Sequence, residues 1–143
     1  MNLEALELFD HARFLLAQPD ISQETLEVLE CMKDLLARPE RWTQHVDART
    51  QDGIPVEPRS VTAHQWCLIG ALRRSAENAR EDTVRAIEYI LRGLVMQEEP
   101  AMETIWEYND APRRSHEDIV RILDRAIARA RRDARETGKE GTP

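Results

Sequence analysis

Leu3, Leu6, Phe9, Ala12 or Arg13, and Leu16 recur at spacings of three and four residues, the repeat of one helical face. The pattern predicts a first helix over residues 2–17, ended by Pro19. Asp20 or Ser22 can cap a second helix that runs to about Ala37, with Leu26, Leu29, Met32, Leu35 and Leu36 on one side. Its other side carries Glu24, Glu27, Glu30 and Asp34. Two antiparallel helices joined by so short a loop make a helical hairpin.

Helical periodicity is lost over residues 45–60. Val46, Ala48 and Thr50 alternate on one side of Gln51-Asp52-Gly53, and Ile54 and Val56 on the other. An Asp-Gly between alternating segments signals a hairpin. Pro55 and Pro58 reduce it to a small edge ribbon or an ordered loop. Trp66-Cys67-Leu68-Ile69-Gly70-Ala71-Leu72 follows, the longest uninterrupted apolar run. A helix that is apolar all round is buried. The run is therefore read as the middle of a central helix over about 61–78, capped by Ser60 or Thr62, against which the others pack. Gly inside a helix costs about 1 kcal/mol relative to Ala. Gly70 is thus expected where another helix comes close.

Val84, Ile87, Ile90, Leu91, Leu94 and Val95 predict an amphipathic helix over 82–97. After Pro100, residues 101–106 form a single helix or an extended piece, and Asn109-Asp110-Ala111-Pro112 is a turn by residue type. Ser115 opens a last helix, with Asp118 where the acid of a capping box sits. Its inner stripe is Ile119, Ile122, Leu123, Ala126, Ile127 and Ala130, with fraying after Arg135. The expectation is an all-α fold of five to six helices with a loop or β-hairpin insertion at 45–60. Residues 1–136 form one domain and 137–143 a disordered polar tail.

Composition narrows the class. The chain has 143 residues, suited to one domain, and a net charge of −7. No apolar run approaches the roughly 18 residues of a membrane span. The acidic N-terminus lacks the basic start and apolar centre of a secretory signal, so the expected location is cytoplasmic. Cys31 and Cys67 read as small buried hydrophobes rather than a disulfide or metal pair. The net charge argues against nonspecific nucleic-acid binding, which relies on basic surface. Residues 113–143 nevertheless carry nine bases against six acids.

Several groupings bear on chemistry. His64 and Cys67 share a helical face, and His11, His45 or His116 would have to complete a metal site. The tight paired spacing of zinc ligands is missing, so no metal or other cofactor is expected. Trp42, Trp66 and Trp106 line one pocket or, more commonly for scattered Trp, anchor the core. The densest polar cluster is 106–116, where Asp110 or Glu107 offers a base and His116 an acid. Its structural reading is a turn, a helix cap at Ser115 and a bridge from Arg114 to an acid such as Asp110. Arg121, Arg125, Arg129 and Arg132 lie near one line of the last helix. Glu117 and Asp133 stand four residues from two of them, and no aromatics intervene, so a solvated face is favoured over phosphate contact. No glycine-rich phosphate loop, Gly-x-Ser-x-Gly or His-Glu-x-x-His occurs.

The run Trp66-Cys67-Leu68-x-Gly70-Ala71-Leu72 resembles the Cys-Leu-x-Gly-Ala-Leu signature of an uncharacterised bacterial and phage family. Trp42, Ala48-Arg49 and Gly53 stand where that family has a Gly-Trp and an Ala-Arg-x-x-x-Gly loop. Trp106, Asn109-Asp110-Ala111-Pro112, Arg114 and Ser115 resemble its Trp-Asn-Asp-x-Pro-x-Arg-Thr segment, and Leu123-Asp124-Arg125-Ala126-Ile127 the final helix. Two residues intervene here between Trp106 and Asn109, and Ser115 replaces Thr. The resemblance spans about residues 25–130 and implies no known activity. Phage occurrence implies an accessory or host-directed role, by association.

The expected function is a non-enzymatic interaction protein that uses the acidic face Glu24, Glu27, Glu30 and Asp34 to bind a protein partner. The alternative is a small-molecule-binding or hydrolytic domain, with a site between the 45–60 loop and the 106–116 turn. Its residues are Trp42, Arg49, Trp106, Asn109, Asp110, Arg114 and His116, which must converge on one cleft.

Overall fold

The computed structural model describes residues 2–140, with side chains through Glu136. The fold is all-α, with six helices and one two-stranded ribbon among the described residues. α1 (Leu3–Leu16) and α2 (Pro19–Leu35) form the expected hairpin. Asn2 caps α1 by accepting from the Glu4 and Ala5 amides. Pro19 ends no helix. It is the first residue of α2, where its missing N–H and fixed φ cost nothing, so neither Asp20 nor Ser22 is the cap. The buried face of α1 is Ala5, Leu8, Phe9, Ala12 and Leu16, whereas Leu3 is exposed.

One turn of 3-10 helix (Pro39–Arg41) leads into the loop region. The Asp-Gly turn forms there, with Gly53 at φ 86°. The Gly53 amide donates to the Thr50 carbonyl (2.9 Å), the Thr50 amide to Ile54 (2.8 Å) and the Val56 amide to Ala48 (3.1 Å). The named strands pair differently: β1 (Ala48–Arg49) runs antiparallel to β2 (Gln65–Trp66), with Ala48 opposite Trp66. The expected partner segment meets β1 at an Arg49–Pro55 bridge, flanked by the Thr50–Ile54 and Val56–Ala48 bonds, and forms no strand of its own.

The apolar run is therefore not one helix. Trp66 is strand, Cys67 is the N-cap, and α3 covers only Leu68–Ser75. All seven residues of the run are buried, as expected. Gly70 does mark a close approach, but to loop backbone: a Cβ there would lie 1.9 Å from the Asp47 carbonyl oxygen. The packing hub is the next helix, α4 (Glu81–Glu98), which buries Ala86, Ile87, Ile90, Leu91, Leu94 and Val95 and contacts α1, α2, α5 (Ile105–Asp110) and α6 (His116–Glu140). At Gly93 the Phe9 ring fills the place of a side chain, so α1 lies tight on α4.

α6 continues helically through 137–140, beyond the fraying expected after Arg135. Residues 141–143 of the expected tail lie outside the described residues. No described helix is long and apolar enough to cross a membrane.

Candidate functional site

α5 starts with a full capping box. Thr104 Oγ1 accepts the Glu107 amide (3.0 Å), and Glu107 Oε1 accepts the Thr104 amide (3.2 Å). This short helix delivers Asn109 into the interior, 1% exposed. Asn109 Oδ1 accepts from Trp42 Nε1 (2.8 Å) and from the Leu68 amide (3.1 Å). Its Nδ2 donates to the Thr43 carbonyl (3.1 Å) and to Asp110 Oδ1 (2.9 Å). Two donors and two accepted bonds exhaust the carboxamide. One side chain thus ties the entry to the loop, the first turn of α3 and the end of α5.

Neighbours extend the knot. Gln44 Nε2 donates to the carbonyls of Asn109 (2.9 Å) and Ala111 (3.1 Å), capping the end of α5. Asp110 Oδ1 also accepts the His45 amide (2.8 Å), and His45 sits at φ 73°. A non-glycine residue in that region persists where surrounding bonds hold it. Arg49 reaches across the loop, donating to Thr43 Oγ1 (2.9 Å), the Gly53 carbonyl (3.0 Å) and the Gln44 carbonyl (3.3 Å).

Of the residues expected to form a site, Trp42, Arg49, Asn109 and Asp110 come together here. The others sit elsewhere. Arg114 lies over the Tyr108 ring (3.6 Å), donates to the Tyr108 carbonyl and pairs with Glu99 (2.6 Å). Its acids are Glu99 and, at 3.7 Å, Asp118, not the expected Asp110. His116 Nε2 meets the Leu36 carbonyl at 2.6 Å, fastening α6 to the end of α2. No hydrogen bond links His116 to Asp110 or Glu107 among the described residues. Trp106 remains 46% exposed and lines a cavity of about 260 Å³ with Ile69, Glu88, Arg92 and Glu103.

The acidic side of α2 is divided among internal partners. Glu24 Oε1 accepts the Arg80 amide (2.7 Å) and the Thr83 hydroxyl (2.7 Å), and Oε2 pairs with Arg80 (3.1 Å). It caps α4, whose own N-cap residue, Arg80, makes no side-chain capping bond to the helix amides. The Arg80 amide, above all, holds the Glu24 carboxyl below the usual range. Glu30 pairs with Arg131 of α6 (2.7 Å), and Glu27 accepts from Gln23.

At the other helix start, Ser115 and Asp118 exchange backbone-to-side-chain bonds as a capping box predicts (3.0 and 3.2 Å). The Ser115 amide lowers the Asp118 pKa. Cys67 Sγ accepts the Gly70 amide (3.2 Å), and burial pushes its thiol up to about 11. Cys31, expected to be buried, is exposed. Among the described residues no group of three or more His, Cys, Asp or Glu is placed to hold a metal ion.

Residue types alone do not reveal Thr43, Gln44 and Asp47 as parts of this arrangement. Nor do they reveal the chain Tyr108–Glu98–Arg125, where the phenol donates to Glu98 Oε2 (2.7 Å) and Arg125 binds Oε1. The position of Gln44 two residues after Trp42 is the one available hint. The arrangement is mechanical: it fixes a loop against two helices and leaves no polar atom of Asn109 for a ligand.

No curated protein and no solved structure matches the chain. A pattern described as a family of unknown function (DUF6197) matches residues 20–129, which include α2 through most of α6 and the whole Asn109 knot, and the chain belongs to that family.

Proposed function

We propose that the protein is a non-enzymatic protein-interaction module whose Asn109 knot holds the 43–64 loop as a rigid recognition surface. One observation carries this reading. The inner side of the loop is locked by Asn109, Gln44, Asp110 and Arg49, while its outer side exposes Ile54 (60%) and Val61 (96%). Exposed aliphatic side chains on preorganised backbone lose little entropy when a partner covers them. Glu27 and Asp34 of the same α2 face add a salt-sensitive contribution next to a basic partner. The proposed setting is cytoplasmic, in an accessory, host-directed role of the kind a phage or mobile element carries.

The test is capture from lysate by the wild-type chain and by Ile54→Asp/Val61→Asp, repeated with the captured protein purified. The expected result is a salt-sensitive complex that the double variant loses while its helical circular dichroism is unchanged. A complex that the double variant retains, or no salt-sensitive complex at all, overturns the reading.

A small-molecule role has one observation in its favour, the cavity beside Trp106. Its aromatic wall, the apolar Ile69 and the flanking Arg92 and Glu88 suit a small amphipathic ligand. A ligand of this second reading sits at the start of α5 rather than between the loop and the turn. Quenching of Trp fluorescence that Trp106→Phe abolishes is the readout that favours this second reading.

A further inference from the structure

A groove of about 390 Å³ lies between α4 and α6, lined by Leu94, Gln97 and four arginines of α6: Arg125, Arg129, Arg132 and Arg135. Spacings of four and three residues stack these guanidiniums along one helix face. Arg125 is already engaged by Glu98 and Gln97. The Arg129 guanidinium sits over the Phe9 ring at 3.7 Å, which fixes its position. Arg132 and Arg135 make no ion pair among the described residues. Negative charge does face the cluster. Buried Asp133 attracts Arg129, Arg13 and Arg132, and Asp10 stands 3.8 Å from Arg13. It does not balance the groove: burial, then the charges of Arg132, Arg13 and Arg125, draw the Arg129 pKa below its usual value. Like charges four apart on a helix destabilise it, so an anion bound among these arginines stabilises the fold.

We propose that this groove binds a small ligand through a diphosphate group, held by Arg129, Arg132 and Arg135. Planar guanidiniums match phosphate oxygens in pairs, and the near-absence of lysine in this helix suits that geometry. Three guanidiniums and a groove of this volume suit two linked phosphates. A nucleic-acid backbone fits less well. The net charge of −7 repels a long polyanion, and Arg129 covers Phe9, the ring that a base would need for stacking. This site is separate from the loop surface, and its test is independent of that reading.

The test is calorimetric titration of the full chain with inorganic pyrophosphate at about 50 mM salt, where charge interactions are only partly screened. Saturable binding at one site per chain is expected. Loss of one charge-assisted bond weakens binding about tenfold, the expected result for Arg132→Gln and for Arg135→Gln. Both residues are exposed, so the variants fold; unchanged circular dichroism checks this. Arg129→Lys keeps the charge, loses the fork and weakens binding as well. The proposal fails if pyrophosphate gives no saturable heat or the variants bind as the wild type does. It fails too if sulfate at equal ionic strength binds equally well, the mark of simple screening. Tighter binding of a duplex DNA oligomer than of pyrophosphate assigns the groove to a nucleic-acid backbone and also overturns it.

Discussion

The knot around Asn109 and the arginine groove on α6 both concentrate polar side chains, and they do opposite things with them. At the knot, each hydrogen-bonding atom of a 1%-exposed carboxamide meets a partner, and the partners come from three separate segments. Buried polar networks that are fully satisfied specify one arrangement of the chain. In the groove, same-sign charges crowd one helix face, and the internal acids serve only part of them. The knot spends its bonding capacity internally, and the groove leaves part of its own unspent. Density of polar residues in the sequence is thus a poor guide to a site. Unspent bonding capacity in the fold is the better one.

The largest effect is expected at the backbone. Gly70→Ala drives a Cβ to 1.9 Å from the Asp47 carbonyl, and backbone cannot move aside as a flexible side chain can. Overpacking of this severity costs about 3 kcal/mol or more. Urea unfolding is expected to show that loss. A cost below about 1 kcal/mol would mean that the loop is not held against α3 and that the knot is loose. Asn109→Ala comes next. It strands the Trp42 indole N–H and the Leu68 amide in the interior, a cost of about 2–4 kcal/mol. If this variant kept its stability and lost only a binding activity, Asn109 would be a ligand-binding residue and the contrast drawn above would be wrong.

Glu24 sharpens the contrast through pH. Its folded carboxyl titrates below the 4.5 of the unfolded chain, so the unfolded state binds protons first on acidification. The stabilisation is complete above about pH 4.5 and is lost as pH falls through the lower folded value. Asp118 adds the same sign below 3.8. Glu24→Gln keeps an acceptor and loses the charge, for an expected cost of about 1 kcal/mol at neutral pH. Its stability should then fall less steeply than the wild type's as pH drops below 4.5. Equal slopes would show that Glu24 is not the group that caps α4.

The helices are legible where the signal is local. The spacing in α6 names its apolar face and that in α4 five of the residues it buries, whereas in α2 Leu26 and Leu35 are only partly buried and Ile21, Thr25 and Val28 are buried instead. Ser115 and Asp118 pair as a capping box predicts. The 66–72 run is legible as core but not as secondary structure. A residue buried on every side has no periodicity to separate strand from helix, and its break at Cys67 is set by Ala48 and Asn109, both distant in sequence. Gly53 is readable from Asp-Gly, while the true partner of β1 is not. Within the polar cluster, the Trp42–Asn109 bond spans 67 positions, a pairing no local rule supplies. Acids four residues away make the arginine stripe look solvated. Arg121 does pair with an acid, Asp118, whereas Arg132 makes no ion pair among the described residues, although buried Asp133 attracts it. Helix spacing tells which side chains share a face, not which of them the opposing helix will neutralise.

The smallest effect is the most discriminating. Arg132→Gln removes a charge that makes no ion pair among the described residues and that repels Arg129. Its attraction to buried Asp133 is lost at the same time, so the two changes oppose each other. The expected change in stability is within about 0.5 kcal/mol, in the stabilising direction if repulsion outweighs that attraction. Salt separates the two contributions. Repulsion across a solvent-exposed groove is screened at a Debye length of about 3 Å in 1 M salt, whereas attraction to a buried carboxylate is screened much less. The wild type should therefore gain more stability from salt than Arg132→Gln does, and the two urea midpoints should converge. Suppose instead that Arg132→Gln costs about 1 kcal/mol or more, the worth of a satisfied hydrogen bond. The guanidinium is then tied into the fold as firmly as the carboxamide of Asn109, and the groove is a second knot rather than an open site.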